Sequence, residues 1–122
     1  MEISNEIRQA ALALGEALHS TKAVQEYLDA RARLLRDAQS TELELSLDAL
    51  VSSLEARQRA GEQPSPEELD AFYALRSRVW GNPLITKRNA TLGLLKPVFA
   101  DVADDIRGAL GLDFIQMTMA TE

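Results

Sequence analysis

The chain has 122 residues, with 13 basic residues, 19 acidic residues, one histidine and no cysteine. This length predicts one domain, residues 1–122, with a single hydrophobic core, and the scarcity of aromatic and β-branched residues favours a helical domain. The net charge of −6 disfavours binding to phosphate backbones and to anionic membranes. The absence of cysteine excludes disulfides, thiolate metal sites and cysteine nucleophiles. No apolar run reaches membrane-spanning length and no signal pattern is visible, which predicts a cytoplasmic location.

Five helical segments follow from the spacing of the apolar residues, and almost nothing is typical of a strand. In the first segment these residues recur every three or four positions and so share one stripe: Ile3, Ile7, Ala11, Leu14 and Leu18. Ser20 and Thr21 offer an N-cap for a second helix. The helical phase then slips near Asp37, and Thr41 with Glu44 matches a capping box. This pattern predicts a break before a third helix.

A segment rich in glycine, proline and glutamate separates the third helix from the fourth. Gly61 can adopt the left-handed conformation that ends a helix, and Ser65 with Glu68 matches a second capping box. The fourth helix is expected to bury its large apolar side chains: Leu69, Phe72, Tyr73, Val79 and Trp80. Asn82 and Pro83 then begin the fifth helix.

The fifth helix has the widest apolar stripe, so we expect it to be the central and most buried element. Leu95 and Phe99 lie on this stripe and are expected to be core residues. Pro97 predicts a kink, because a proline ring clashes with the carbonyl four residues earlier. After Gly111 the tail, residues 112–122, is more apolar than terminal segments usually are. Five of its side chains form a candidate self-association surface: Leu112, Phe114, Ile115, Met117 and Met119.

The sequence offers no recognisable catalytic, cofactor-binding or metal-binding constellation. His19 is the only histidine, so one subunit cannot form a histidine metal cluster or a catalytic triad. Paired acids such as Asp104 and Asp105 point to different faces of a helix. Neither a glycine-rich phosphate loop nor a nucleophile elbow is present. We therefore expect a non-enzymatic protein that uses no cofactor.

The order of several features resembles the YlbF/YmcA family of small bacterial helical regulators. The matching residues extend over positions 8 to 110: Leu14-Gly15, Ser20, Tyr27, Ala30, Asp37, Gly61, Pro64-Ser65, Glu68, Asn82-Pro83 and Ile85. The resemblance implies an all-α, multihelical bundle of the YmcA/YheA type with a buried central helix and a tendency to self-associate. It also implies an adapter role in a complex with the endoribonuclease RNase Y in mRNA processing. The best-known members carry cysteines linked to iron–sulfur clusters, and this chain departs from that pattern because it has none.

The sequence leaves three functions open. The first is a regulator or adapter that binds other proteins, including an RNase-containing complex. The second is a homo-oligomeric helical protein, a dimer or tetramer, whose partner is mainly itself. The third is direct RNA binding through the arginine-bearing faces of the second and fourth helices, which the net negative charge disfavours.

Overall fold

The computed structural model describes residues 3–119, and this part of the chain forms six helices and no strand. In chain order the helices are α1 (Asn5–His19), α2 (Lys22–Arg36), α3 (Ala38–Arg59), α4 (Pro66–Trp80), α5 (Pro83–Leu110) and α6 (Phe114–Met119). The predicted all-α bundle of five substantial helices is therefore confirmed. The additional helix, α6, is a short one that lies within the apolar tail.

Most helix boundaries lie where local capping chemistry predicts them. The Thr21 hydroxyl accepts a hydrogen bond from the backbone N–H of Val24, and Ser65 and Glu68 form both bonds of a capping box. Gly61 has a φ of 85°, which an L side chain would adopt only under strain. The Asn82 side chain accepts bonds from two backbone N–H groups at the start of α5.

The predicted capping box of Thr41 and Glu44 is wrong. α3 begins at Ala38, directly after Asp37, whose extended backbone (φ −100°, ψ 100°) breaks the helix earlier. Thr41 consequently lies inside α3, where its hydroxyl donates to the carbonyl oxygens of Leu34 and Asp37 at 3.1 and 3.0 Å. The Glu44 carboxylate instead forms an ion pair with a guanidinium of α5.

The core lies where four helices meet. α2 packs along α5 and α3 packs along α4, while α4 turns directly into α5. The central cluster consists of Leu34, Val79 and Ile85, from α2, α4 and α5 respectively. Ile85 is the most completely buried large side chain, with 1% of its surface exposed. Three half-buried leucines pack around this cluster: Leu43, Leu47 and Leu84.

Within the described residues, α5 contributes more buried residues than any other helix, as its apolar stripe predicts. They are Ile85, Thr91, Leu95 and Ala103. The helix continues without interruption through Pro97, where a kink was expected. Phe99, however, is 46% exposed, so its assignment to the core is wrong. Leu95, four residues earlier, is 3% exposed, so the packed face of α5 does not include the whole stripe.

The predicted burial of α4 is also only partly correct. Val79 is buried and Phe72 is half-buried, but Leu69, Tyr73 and Trp80 are exposed. Successive residues of a helix turn by about 100°, so a stripe wider than the packing contact leaves side chains on its flank. In α4 the buried side chain of Val79 marks the packed face. Tyr73 and Trp80 lie on the flank beside it.

Candidate protein-interaction surface

α1 carries an apolar stripe that nothing in the described chain covers. None of its residues is buried, and its contacts are mainly with α2. Ile7 is 57% exposed, Leu14 is also exposed, and Leu18 is half-buried beside the turn into α2. Ile3, which the sequence placed on the same stripe, precedes the helix and is exposed too. The helix itself is regular and begins at the N-cap Ser4, whose hydroxyl accepts a bond from a backbone N–H. α1 is thus a formed amphipathic helix with an open apolar face.

A second exposed patch lies on α4 and combines aromatic rings with an arginine. The Arg76 guanidinium lies 5.4, 4.9 and 4.5 Å from the ring centroids of Phe72, Tyr73 and Trp80. These distances are in the range of cation–π contacts, which hold the long arginine side chain in place. Trp80 is nevertheless 67% exposed. Tryptophan, tyrosine and arginine are the residues that most often dominate binding energy in protein interfaces.

The third exposed region is the tail that the sequence singled out. Leu112 and Met117 are exposed, Phe114 and Ile115 are half-buried, and the side chain of Met119 lies outside the described residues. The tail is therefore neither fully packed nor fully solvated.

An ion pair fixes this tail to the end of α5. Asp113 accepts a bond from Nε of Arg107 at 3.0 Å and another from the backbone N–H of Gln116 at 3.3 Å. Both hydrogen bonds lower the pKa of the Asp113 carboxyl, and the bond from Gln116 has the larger effect. Asp113 thereby holds the start of α6 beside the last turn of α5.

The total accessible area shows how incomplete the burial is. The chain exposes 9299 Å². A folded monomer of this mass, 13.4 kDa, exposes about 6,500 Å². The excess of roughly 2,800 Å² is over three times the ~800 Å² that one partner contributes to an interface of standard size.

Several arginines are already engaged by acidic side chains. Arg57 of α3 forms a bidentate ion pair with Glu68 of α4, and Arg88 of α5 pairs with Glu44 of α3. The pKa of Glu68 is lowered to about 2, mainly by the hydrogen bond from Arg57 and to a smaller extent by the bond from the backbone N–H of Ser65. These pairs link neighbouring helices and neutralise positive charge that a phosphate backbone would otherwise contact.

A polar groove of about 380 Å³ lies between α3 and α4, beside the capping residues Asp37 and Asn82. Its buried hydroxyl, on Ser40, donates to the Asp37 carboxylate and accepts a bond of 2.8 Å from Nδ2 of Asn82. No buried side-chain nitrogen or oxygen of residues 3–119 lacks a hydrogen-bond partner. Ser40, Asp37 and Asn82 thus saturate one another and join the start of α3 to the start of α5.

The described residues contain no cluster of three or more side chains with metal-ligand chemistry. The single histidine, His19, lies at the end of α1, where the Gln25 side chain donates to its carbonyl oxygen at 2.6 Å. Among the same residues, no helix is long and apolar enough to cross a membrane.

Comparison with known proteins identifies the family. A family model described as control of competence regulator ComK, YlbF/YmcA, matches residues 7–110. Comparisons with curated proteins and with solved structures give no match. The matched range includes α1 almost entirely and runs to the end of α5, so it covers every substantial helix described above. This chain belongs to the YlbF/YmcA family of regulators.

Proposed function

We propose that this chain is a cytoplasmic, non-enzymatic regulator that acts by binding other proteins, and that one of these proteins is a second copy of itself. The observation that carries the proposal is the accessible area, roughly 2,800 Å² larger than that of a folded monomer of this mass. Soluble monomers rarely leave large apolar patches in water, and such patches usually mark interaction sites. Membership of a family that controls a competence regulator supports a regulatory role.

The finer proposal is an adapter that modulates an endoribonuclease in mRNA processing. Family membership supports it, as does the exposed patch of Tyr73, Arg76 and Trp80, whose composition suits a protein partner. A pull-down of the tagged full-length chain from its native host tests the adapter role. We expect an endoribonuclease to co-purify with the wild-type chain and to be depleted with Trp80→Ala. Because Trp80 is exposed, this substitution leaves the core intact, and the exposed Leu45→Ala on α3 is a matched control.

Recovery of other proteins without an endoribonuclease would reject the adapter role in mRNA processing and leave a regulator of a different process. An endoribonuclease recovered equally with wild type and Trp80→Ala would keep the adapter role but exclude the α4 patch as its docking point.

Self-association through the tail is a separate part of the proposal. The exposed side chains of Leu112 and Met117 support it, because a neighbouring subunit could cover them. Light scattering should then give two or four times the chain mass, and truncation after Gly111 should lower this value. A full-length monomer at micromolar concentration would contradict self-association. An oligomer unchanged by truncation would move the interface to the helices.

Direct RNA binding is the competing function from another class. The arginine-bearing faces of α2 and α4 would have to provide it, yet Arg33 pairs with Asp29 on α2 and Arg76 is held against three rings on α4. The net charge of −6 also opposes it. RNA retention that weakens steeply with increasing salt would favour this alternative over the adapter.

A further inference from the structure

We infer that α1 pairs with the α1 helix of a second copy in an antiparallel arrangement that crosses at Ala10 and Ala11. This inference rests on the proposed self-association and specifies one interface for it. α1 is formed and capped, has no buried residue, and presents one apolar stripe. An isolated helix of 15 residues is only marginally stable in water, so a regular α1 needs a packing partner for its apolar face.

The stripe of α1 is symmetric about its centre, and this symmetry identifies the partner. Ile7 and Leu14 lie equally far from the midpoint between Ala10 and Ala11. A reversed copy of α1 therefore presents Leu14 where the first copy presents Ile7, and an alanine at the centre. Two-fold dimers require such a self-complementary patch.

The side chains also fit the geometry of a helix crossing. Ile7 and Ala11 lie on one ridge of residues four positions apart, and Ala10 and Leu14 lie on another. The pseudo-two-fold axis exchanges these two ridges. The alanines at the centre allow the two backbones to approach closely, while the larger side chains pack on either side of the crossing.

The charged residues of α1 do not oppose this pairing. Glu6 lies beside the stripe, and in the antiparallel arrangement it is level with Gly15 of the other copy. The two Glu6 carboxylates are then about nine residues apart along the axis, or ~13 Å, which exceeds the Debye length of ~8 Å at physiological ionic strength. In a parallel pair the same two carboxylates would lie level with each other.

Cysteine cross-linking tests the arrangement directly, because the chain has no cysteine of its own. A disulfide requires Cβ atoms roughly 3.5–4.5 Å apart. Ala11→Cys lies next to the axis and should give a cross-linked dimer under mild oxidation. Ile7→Cys alone should not, because its two copies lie far apart along the axis, whereas a mixture of Ile7→Cys and Leu14→Cys chains should. Leu12→Cys, on the opposite face of α1, is the matched control and should remain uncross-linked.

A charge on the stripe provides the second test. Ile7→Glu should lower the mass measured by light scattering below the wild-type value, to a smaller multiple of 13.4 kDa, the mass of one chain. Leu12→Glu places the same charge on the exposed opposite face of the same helix and should leave the mass unchanged.

The outcomes separate this inference from the proposed function. A wild-type monomer would overturn both. A wild-type oligomer that Ile7→Glu does not dissociate, and in which Ala11→Cys does not cross-link, would overturn the α1 pairing alone. Efficient cross-linking of Ile7→Cys with itself would replace the antiparallel arrangement with a parallel one.

Discussion

Two regions of the chain have similar apolar patterns but differ in burial. One is the junction of α2, α4 and α5, and the other is the helix α1. At the junction, Leu34, Val79 and Ile85 are buried, and the neighbouring polar side chains of Ser40 and Asn82 hydrogen-bond to each other. α1 has a comparably regular apolar stripe and a proper N-cap, yet no buried residue. The hydrophobic pattern of a helix therefore indicates that one face packs against another element. It does not indicate whether that element belongs to the same chain.

This difference has an energetic consequence. Residues at the junction stabilise the folded chain itself, because their removal from water accompanies folding. Residues of α1 gain little from folding alone, and on our account they gain their burial on association. Substitutions at the two places should therefore affect different measurements, namely the free energy of unfolding at the junction and the subunit mass at α1.

The largest expected effect is that of Ile85→Ala at the junction. The substitution removes a fully buried side chain and leaves a cavity, so it should lower the free energy of unfolding by about 2–5 kcal/mol in denaturant melts. Leu94→Ala, in the same helix but exposed, should change it by less than about 0.5 kcal/mol. Ile7→Ala, in dilute solution, should resemble Leu94→Ala. Equal losses at Ile85 and Ile7 would remove the contrast between the two regions.

Two residues one turn apart on α5 differ in burial in the same way. Leu95 is 3% exposed and Phe99 is 46% exposed, although both lie on the same stripe. Leu95→Ala should cost about 2–5 kcal/mol of unfolding free energy. Phe99→Ala should cost clearly less in the monomer, because its ring already contacts water. Equal losses of unfolding free energy for Phe99→Ala and Leu95→Ala, at a concentration where the chain is monomeric, would show that Phe99 is packed more fully than the structure indicates.

The helix caps should show a smaller version of the same contrast. Asn82→Ala removes the N-cap of α5 and the bond to the buried Ser40 hydroxyl, so it should cost about 1–3 kcal/mol. Ser4→Ala removes the corresponding cap of α1. It should change global unfolding by less than about 0.5 kcal/mol, because α1 can unfold locally without the core. Thermal melts of both variants and of wild type measure these losses. A larger loss of stability for Ser4→Ala than for Asn82→Ala would contradict the expected contrast.

The smallest expected effect is a pH dependence at the link between α3 and α4. The folded-state pKa of Glu68 is lowered to about 2, chiefly by its bond from Arg57, from an ordinary value of 4.5. A lowered pKa means that the pair stabilises the fold fully above pH 4.5, and that this contribution is lost as pH falls from 4.5 towards 2. Glu68→Gln should be less stable than wild type at pH 7, and the difference should shrink over this interval. A difference independent of pH would show that the ion pair is not its source.

The parts of the fold that were predictable from sequence are those fixed by local chemistry. Ser65 with Glu68, Gly61 and Asn82 act on backbone groups within a few residues, so their patterns identify the ends of α3, α4 and α5 correctly. Thr41 and Glu44 match the same capping pattern but do not mark a helix start, because the break between α2 and α3 lies earlier, at Asp37.

Burial was less predictable because it depends on distant residues. Trp80 and Phe99 lie on stripes wider than their packing partners, and no local pattern tells which edge of a stripe is covered. The apolar tail after Gly111 is recognisable from its composition, and its coverage by a second subunit stays a prediction. The α4 patch was missed, although the three- and four-residue spacings among Phe72, Tyr73, Arg76 and Trp80 would have revealed that the rings flank the arginine.

Hydrogen exchange at increasing protein concentration tests whether a second copy covers the open face of α1. The amides of α1 should exchange rapidly in dilute solution and become protected as the chains associate, because the helix then loses its route to local unfolding. The amides of α5 around Ile85 should be protected at every concentration, since their burial is internal to one chain. Protection of α1 that does not change across the association range would contradict the claim.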